Sequence, residues 1–362
     1  MSNWQLVLVP FLLALIVSLV VTPLTIWLFA RWGLVVDPKK QKHPAQIHTE
    51  PVPKGGGIPV VLSVLITSLV LLKLDSHLNV ILLGLGVCLV VGLIDDIRSV
   101  NPYLRLFTNF LIAGLVVSAG IGIAYISNPF GGIIDLSQIR VSFDLFGKSH
   151  QIWVLADLFA LLWIPFLMNA INWSSGLDGQ VSGVVAIAAV VIGLLSLSFS
   201  ADITQWPVAI LAFALAGGFT GLAIFHFYPQ KIMPGYSATS SAGFLLAILA
   251  ILATAKVGTA LVVLGLPLID AAYSIVRRLA AGKSPVWGDR GHLHHKLLDI
   301  GWGKRRIALF YWLITASLGV IALNANAKMK LFAILSLSII IAGFLLWVYF
   351  GPWSKQSDRD NG

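Results

Sequence analysis

Two adjacent carboxylates, Asp95 and Asp96, close an apolar run from Leu78 to Ile94 and are followed by Asn101-Pro102 and Arg105. An ionised carboxylate deep in hydrocarbon is costly, so such a pair belongs at a water interface. Neighbouring helical positions point about 100° apart, so one acid can hold a cation while the other takes a proton. A turn at Asn101-Pro102 returns Arg105 beside them, where its charge can hold a phosphate or neutralise the carboxylates. A solvated helix end is the plainer alternative for these two residues.

Four further clusters carry unusual polar residues. Lys54 precedes Gly55-Gly56-Gly57 at the start of an apolar run, and glycines there let backbone N–H groups approach an anion. Lys39, Lys40, Lys42, His43, His48 and Glu50 lie just before it, and such a loop equally suits anionic lipid headgroups. Asn169 and Asn172, three apart, share a helix face, and Asp178 sits between Gly176 and Gly179 in an expected tight turn. Amide oxygens, a carboxylate and glycine backbone suit a hard cation such as magnesium, although an Asx turn uses the same residues. Tyr236 to Ser241 supplies small hydroxyl residues that cap a helix or cradle an anion. Finally, Arg290, His292, His294 and His295, with Lys283 and Lys296, suit phosphate oxygens. Zinc is the rival there, but no Cys or Glu completes a zinc pattern.

The elements that must position these residues are apolar helices. Of 362 residues, 58% are hydrophobic and 11% charged, with mean hydropathy +0.91. Soluble domains carry about a quarter charged residues, so the sequence predicts an all-α polytopic membrane protein. The net charge of +9 is explained by basic loops at a membrane face, and no long basic tract favours nucleic acid. Cys88 is the single cysteine and excludes an intramolecular disulfide. Runs of about 17–25 apolar residues can span a bilayer. They fall near 4–30, 57–74, 78–95, 104–126, 152–171, 180–199, 206–225, 238–255, 257–279, 307–324 and 331–350, which makes eleven helices. The first starts without a basic leader or cleavage site and reads as a retained span.

With the N-terminus outside and the C-terminus inside, eighteen of the 24 Lys and Arg face the cytoplasm, which the positive-inside rule favours. All the polar clusters then fall on that face, as one site built from several loops. The outer segment 127–151 alternates Ile139, Val141, Phe143 and Leu145 and predicts a short β-hairpin. Two more acids lie inside runs: Asp157 near an outer helix end, expected to be solvated, and Asp270, expected to pair with a nearby Arg or His.

Together the motifs resemble the polyprenyl-phosphate N-acetylhexosamine-1-phosphate transferase family, over nearly the whole chain. Pro53-Lys54-Gly55-Gly56-Gly57, Asp95-Asp96 and Asn169-x-x-Asn172 through Gly179 are similar to family motifs, with Arg105 where Lys is usual. Asp289-Arg290-Gly291-His292-Leu293-His294-His295 is similar to the loop of the branch that uses UDP-N-acetylglucosamine. The resemblance implies a single transmembrane transferase domain over 1–350 with a short cytoplasmic tail, 351–362. It implies transfer of N-acetylglucosamine 1-phosphate from a UDP-sugar to undecaprenyl phosphate, releasing UMP, at the cytoplasmic face of a bacterial inner membrane. That would be the first membrane step of an envelope polysaccharide.

It further implies Mg2+ (or Mn2+) held by Asn172 and Asp96, catalysis by Asp95, Asp96 and Asp178, and substrate contacts from Lys54, Arg105, Asn169, Arg290, His292, His294 and His295. Membrane lipid is a further partner, and a homodimer is compatible with the sequence. Two departures stand out: Ser175 replaces one motif Asp, and Tyr236 falls where the family has a magnesium-binding Asp. A neutral phenol is a poor magnesium ligand. The competing readings are a catalytically silent scaffold of the same family and a lipid or solute transporter. A transporter would carry ionisable residues and broken helices at the bilayer midplane.

Overall fold

A computed structural model describes residues 3–36, 51–145, 148–198, 204–253 and 257–350. Lys39 to Glu50 and the tail 351–362 lie outside the described residues. The elements in order are α1 (Asn3–Arg31), β1 (Val35–Val36), β2 (Val52–Pro53), α2 (Gly57–Leu71), α3 (Ser76–Arg98) and α4 (Pro102–Ser118). Four strands follow: β3 (Tyr125–Ser127), β4 (Ile133–Asp135), β5 (Arg140–Leu145) and β6 (Lys148–Trp153). Then come α5 (Val154–Trp173), α6 (Gln180–Leu197), α7 (Gln205–His226), α8 (Gly235–Leu252), α9 (Val257–Val263), α10 (Gly265–Ala280), α11 (Leu293–Asp299), α12 (Lys304–Asn324) and α13 (Ala327–Phe350).

Each of the eleven expected runs contains helix, with departures in length and continuity. Among the described residues, eight helices are long and apolar enough to cross a membrane, while α2 and α4 are apolar but shorter, at 15 and 17 residues. The ninth run is broken: α9 and α10 meet at an angle of 85°. Pro267 lies in the first turn of α10 and lacks an N–H. At that position the missing N–H costs no intrahelical bond, so the proline is accommodated at the start of a new helix after α9 ends at Val263. The outer segment also differs from expectation. It forms two antiparallel hairpins, β3–β4 and β5–β6, because a second short strand pair precedes the expected one.

The core of the bundle is α8, whose residues are buried along nearly the full helix. It packs between α3 and α5, while α1 packs closely on α7. That second contact uses small residues: a side chain at Gly217 would collide with the backbone of Phe11, and Ser18 Oγ donates to Gly218 O at 2.8 Å. The lipid-facing surface shows in α1, where Leu12, Ile16, Val20 and Leu24 are all exposed. Helices buried on one side and apolar on the other belong in a bilayer, so the chain is a multi-pass membrane protein.

Candidate active site

The two acids at the end of α3 do different things, as their angular separation allows. Asp95 accepts from Val100 N at 2.9 Å and from Arg105 Nη1 at 3.3 Å. The expected turn is the cause: Asn101 caps α4 by accepting from Tyr103 N, Pro102 takes the first helical position, and Arg105 returns to the acid. Asp96 instead reaches the start of α8, accepting from Tyr236 N at 2.7 Å, Ser237 N at 3.3 Å and Ser237 Oγ at 2.6 Å. It caps a helix 140 positions away, and its charge complements the positive helix end. Gly92, one turn earlier, makes this approach possible, since any side chain there would meet the Ser237 backbone.

The glycine loop joins the same helix start. Met233 N donates to Pro53 O at 2.9 Å, and Gly56 N to Met233 O at 3.1 Å. Gly57 N then donates to Ser237 Oγ at 3.2 Å. Lys54 bridges to Met233 beside this seam, and its charge acts on Asp96. These glycine N–H groups are therefore occupied by protein acceptors, which gives the loop a structural role first.

Asn172, near the end of α5, accepts from Thr239 Oγ1 at 2.9 Å and so faces the first turn of α8. Asn169, one turn back, donates to Pro165 O at 2.8 Å, so its amide N–H is used inside α5. In the turn that follows, Asp178 accepts from Lys304 Nζ at 3.4 Å and Gln230 N at 3.3 Å. Gly176 lies directly against His294 Nε2, a closeness that no side chain would permit.

The histidine loop hangs from the bent span. Asp270 of α10 bonds His292 Nδ1 at 2.8 Å through one oxygen and Leu293 N at 2.8 Å through the other. Arg278 Nη2 meets His292 Nε2 at 3.2 Å, so the Nδ1–H tautomer makes both bonds. Asp289 closes the loop onto Arg277 and Arg278, at 2.7 Å and 2.9 Å. Partial burial works against its charge, but the Arg278 and Arg277 guanidiniums and Gly291 N–H hold its carboxyl well below the usual range. His294 is buried, stacks on His292, packs at a tilt against His295, and among the described residues has no hydrogen-bond partner on either ring nitrogen. Burial pushes its pKa well down, and the neighbouring histidines add to this. His295 falls to about 4 through burial and then the Arg290 charge. Both rings are neutral at pH 7. Arg290 itself is exposed, with Asp299 at 3.2 Å.

Lys54, Arg105, Asp95, Asp96, Asn172, Asp178 and His294 thus converge on one end of the bundle, around the start of α8. Ser237 and Thr239 of the expected hydroxyl run join them, with Asn109, Arg277, Arg278 and Lys304, which sequence reasoning did not single out. Ser237, Thr239 and Asn109 tie α8 to its neighbours, Arg277 and Arg278 hold the histidine loop, and Lys304 pairs with Asp178. Gly92 was the legible signal for the first of these; the Lys304-Arg305-Arg306 run at a helix start was the signal for the last.

Tyr236 is buried, donates to Asn109 Oδ1 at 2.9 Å and lies under the Arg105 guanidinium, 5.0 Å from the ring centre. Its oxygen is therefore aimed at an amide. Among the described residues no three His, Cys, Asp or Glu side chains are grouped to hold a metal. Asp96 Oδ1 accepts from Tyr236 N and Asn172 Oδ1 from Thr239 Oγ1, and a carbonyl or carboxylate oxygen has a second lone pair. That donor set fits a magnesium ion that arrives on phosphate oxygens and keeps its waters.

The glycosyl transferase family 4 model matches residues 78–254. Over 348 residues the chain is 26% identical to a probable undecaprenyl-phosphate N-acetylglucosaminyl 1-phosphate transferase of Bacillus subtilis, covering 92% of this chain and 90% of that protein. It is 26% identical to a decaprenyl-phosphate N-acetylglucosaminephosphotransferase of Mycolicibacterium smegmatis, covering 82% and 75%. It is 27% identical to a phospho-N-acetylmuramoyl-pentapeptide-transferase of Bacillus pumilus, covering 87% and 97%.

Proposed function

We infer that this chain, matched over residues 78–254 by the glycosyl transferase family 4 model, transfers N-acetylglucosamine 1-phosphate from a UDP-sugar to a polyprenyl phosphate and releases UMP. We take the acceptor to be undecaprenyl phosphate and the site to face the cytoplasm at a bacterial inner membrane, the orientation favoured by eighteen of 24 basic residues. The observation that carries the reading is the convergence of five separate polar segments around the start of α8.

Asp95, buried beside Arg105, is the base that completes deprotonation of the lipid phosphate. A phosphate's second pKa is about 6, so this base is asked for little. The freed oxygen attacks the β-phosphorus in line. The new P–O bond joins lipid and sugar phosphates, and the bond to the bridging oxygen breaks so that UMP leaves with its electron pair. Arg105, Lys54 and Arg290 supply positive charge for the diphosphate, and the neutral His294 offers an unused ring nitrogen to the nucleotide sugar. Asp178, fixed by Lys304, and Asn169 shape the wall beside them. Asp96 and Asn172 would hold a magnesium ion, which when bound would help neutralise the charge that builds on UMP. Positioning and electrostatics carry most of the rate.

The test is Asp95→Asn in detergent with UDP-N-acetylglucosamine, undecaprenyl phosphate and Mg2+. UMP release should fall by about a hundredfold or more while the protein still binds the UDP-sugar. Near-normal turnover removes Asp95 as the base.

A further inference from the structure

Tyr236 stands in the middle of the acid side, yet the transfer proposed above gives it no task. It lies in the first turn of α8, where Asp96 accepts from its N–H at 2.7 Å. α4 holds the side chain at two points. Asn109 Oδ1 accepts from the hydroxyl at 2.9 Å, and the Arg105 guanidinium lies over the ring, 5.0 Å from its centre. Arg105 and Asn109 are one helical turn apart and share a face, so α4 presents both groups to one ring. The ring itself is buried, which keeps water from competing for its face.

Arg105 is bound to its acid differently from Arg277 of the histidine side. Its bond to Asp95 is a single one at 3.3 Å, whereas Arg277 Nη2 meets both oxygens of Asp289, at 2.7 and 2.8 Å. A guanidinium carries five N–H donors in a planar fork, and a ring face beneath it uses none of them. Among the described residues Asp95 accepts from one Arg105 nitrogen, and the Arg105 side chain is 25% exposed. A long, part-exposed arginine loses rotamer freedom when an anion fixes it. A ring that holds it beforehand lowers that cost for an anion that binds later.

We infer that Tyr236 is a positioning residue: its ring sets the Arg105 guanidinium between Asp95 and an incoming phosphate, and Asn109 sets the ring. The contact stands on the geometry alone; that the anion is the diphosphate of a nucleotide sugar rests on the transferase reading.

Substitution of the ring in the full-length protein tests it. Tyr236→Leu removes the face and should raise the apparent KM for UDP-N-acetylglucosamine about fivefold, the weight of one cation–π contact near 1 kcal/mol, with kcat within about twofold. Tyr236→Phe should keep the parent KM. Phenylalanine analogues of increasing fluorination at this position keep the shape but drain charge from the ring face, so KM should climb stepwise along that series. In an Arg105→Met background the same series should be flat, because the effect passes through the guanidinium. A flat series with Arg105 present, or an equal climb without it, would overturn the assignment. The fluorinated rings differ little in shape from phenylalanine, so a misfolded Tyr236→Leu cannot hide the answer. A parent protein that releases no UMP would sink the transferase reading and not the clamp. Thermal midpoints then decide: Tyr236→Leu should cost less with Arg105→Met than without it, and equal costs would overturn the clamp.

Discussion

The acid side and the histidine side of the candidate site treat their polar atoms in opposite ways. Asp96 gives its carboxylate to the first turn of α8, and Asp95 and Asp178 each hold a basic side chain and a backbone N–H. His294, a few residues from a fully bonded His292, is buried with both ring nitrogens unpaired among the described residues. A buried polar atom without a partner costs about 1–3 kcal/mol, so its retention points to a partner that arrives from outside. The acid side is part of what holds the bundle together, whereas the histidine side is held by others and left open.

That contrast can be broken by substitution. Asp96→Ala leaves two N–H groups and a hydroxyl buried without an acceptor at a positive helix end, and should cost about 3–5 kcal/mol. Loss of the monodisperse detergent peak or a steep fall in the thermal midpoint would be the readout; an unchanged midpoint would make the cap dispensable. His294→Ala should disturb the midpoint far less, yet raise the apparent KM for the UDP-sugar about tenfold, the weight of one hydrogen bond near 1.4 kcal/mol. An unchanged KM would remove His294 from substrate binding.

The pH dependence sharpens the same point. His295 has its pKa lowered to about 4 in the folded protein against 6.5 when unfolded, and His294 is shifted in the same direction. Between those values the unfolded chain binds more protons, so stability is full above pH 6.5 and is lost as pH falls toward 4. His295→Gln should flatten that part of a midpoint-against-pH curve; an unaltered slope would place the titration elsewhere. The smallest effect belongs to Tyr236→Phe, which leaves Asn109 Oδ1 without its donor for about 1 kcal/mol and keeps the ring under Arg105. Turnover within about twofold of the parent would fit a phenol that takes no part in metal binding, and a large drop would give the hydroxyl a role in the reaction.

Local chemistry made some of this readable in advance. The apolar runs gave the helices, Asn101-Pro102 returned Arg105 to Asp95, and Asp270 found the expected histidine. Other features depend on contacts between residues far apart in the chain. Nothing beside Asp96 announces that its partner is Ser237; only Gly92, a small residue in an apolar run, hints at a close approach. The 85° break falls just before Gly265-Leu266-Pro267, yet Pro10, Pro23 and Pro165 lie inside unbroken helices, so the proline alone does not announce it. Asn169 and Arg290 matched motifs, yet bond to Pro165 and Asp299, which spacing alone does not reveal. Asp157 was expected to be solvated and instead is half-buried, accepting from Trp153 N at 2.9 Å at the start of α5.

The most direct measurement is UMP release by the purified protein from UDP-N-acetylglucosamine, with and without undecaprenyl phosphate. A single transfer site predicts release that requires the lipid phosphate. No release with the lipid, or equal release without it, would contradict the account.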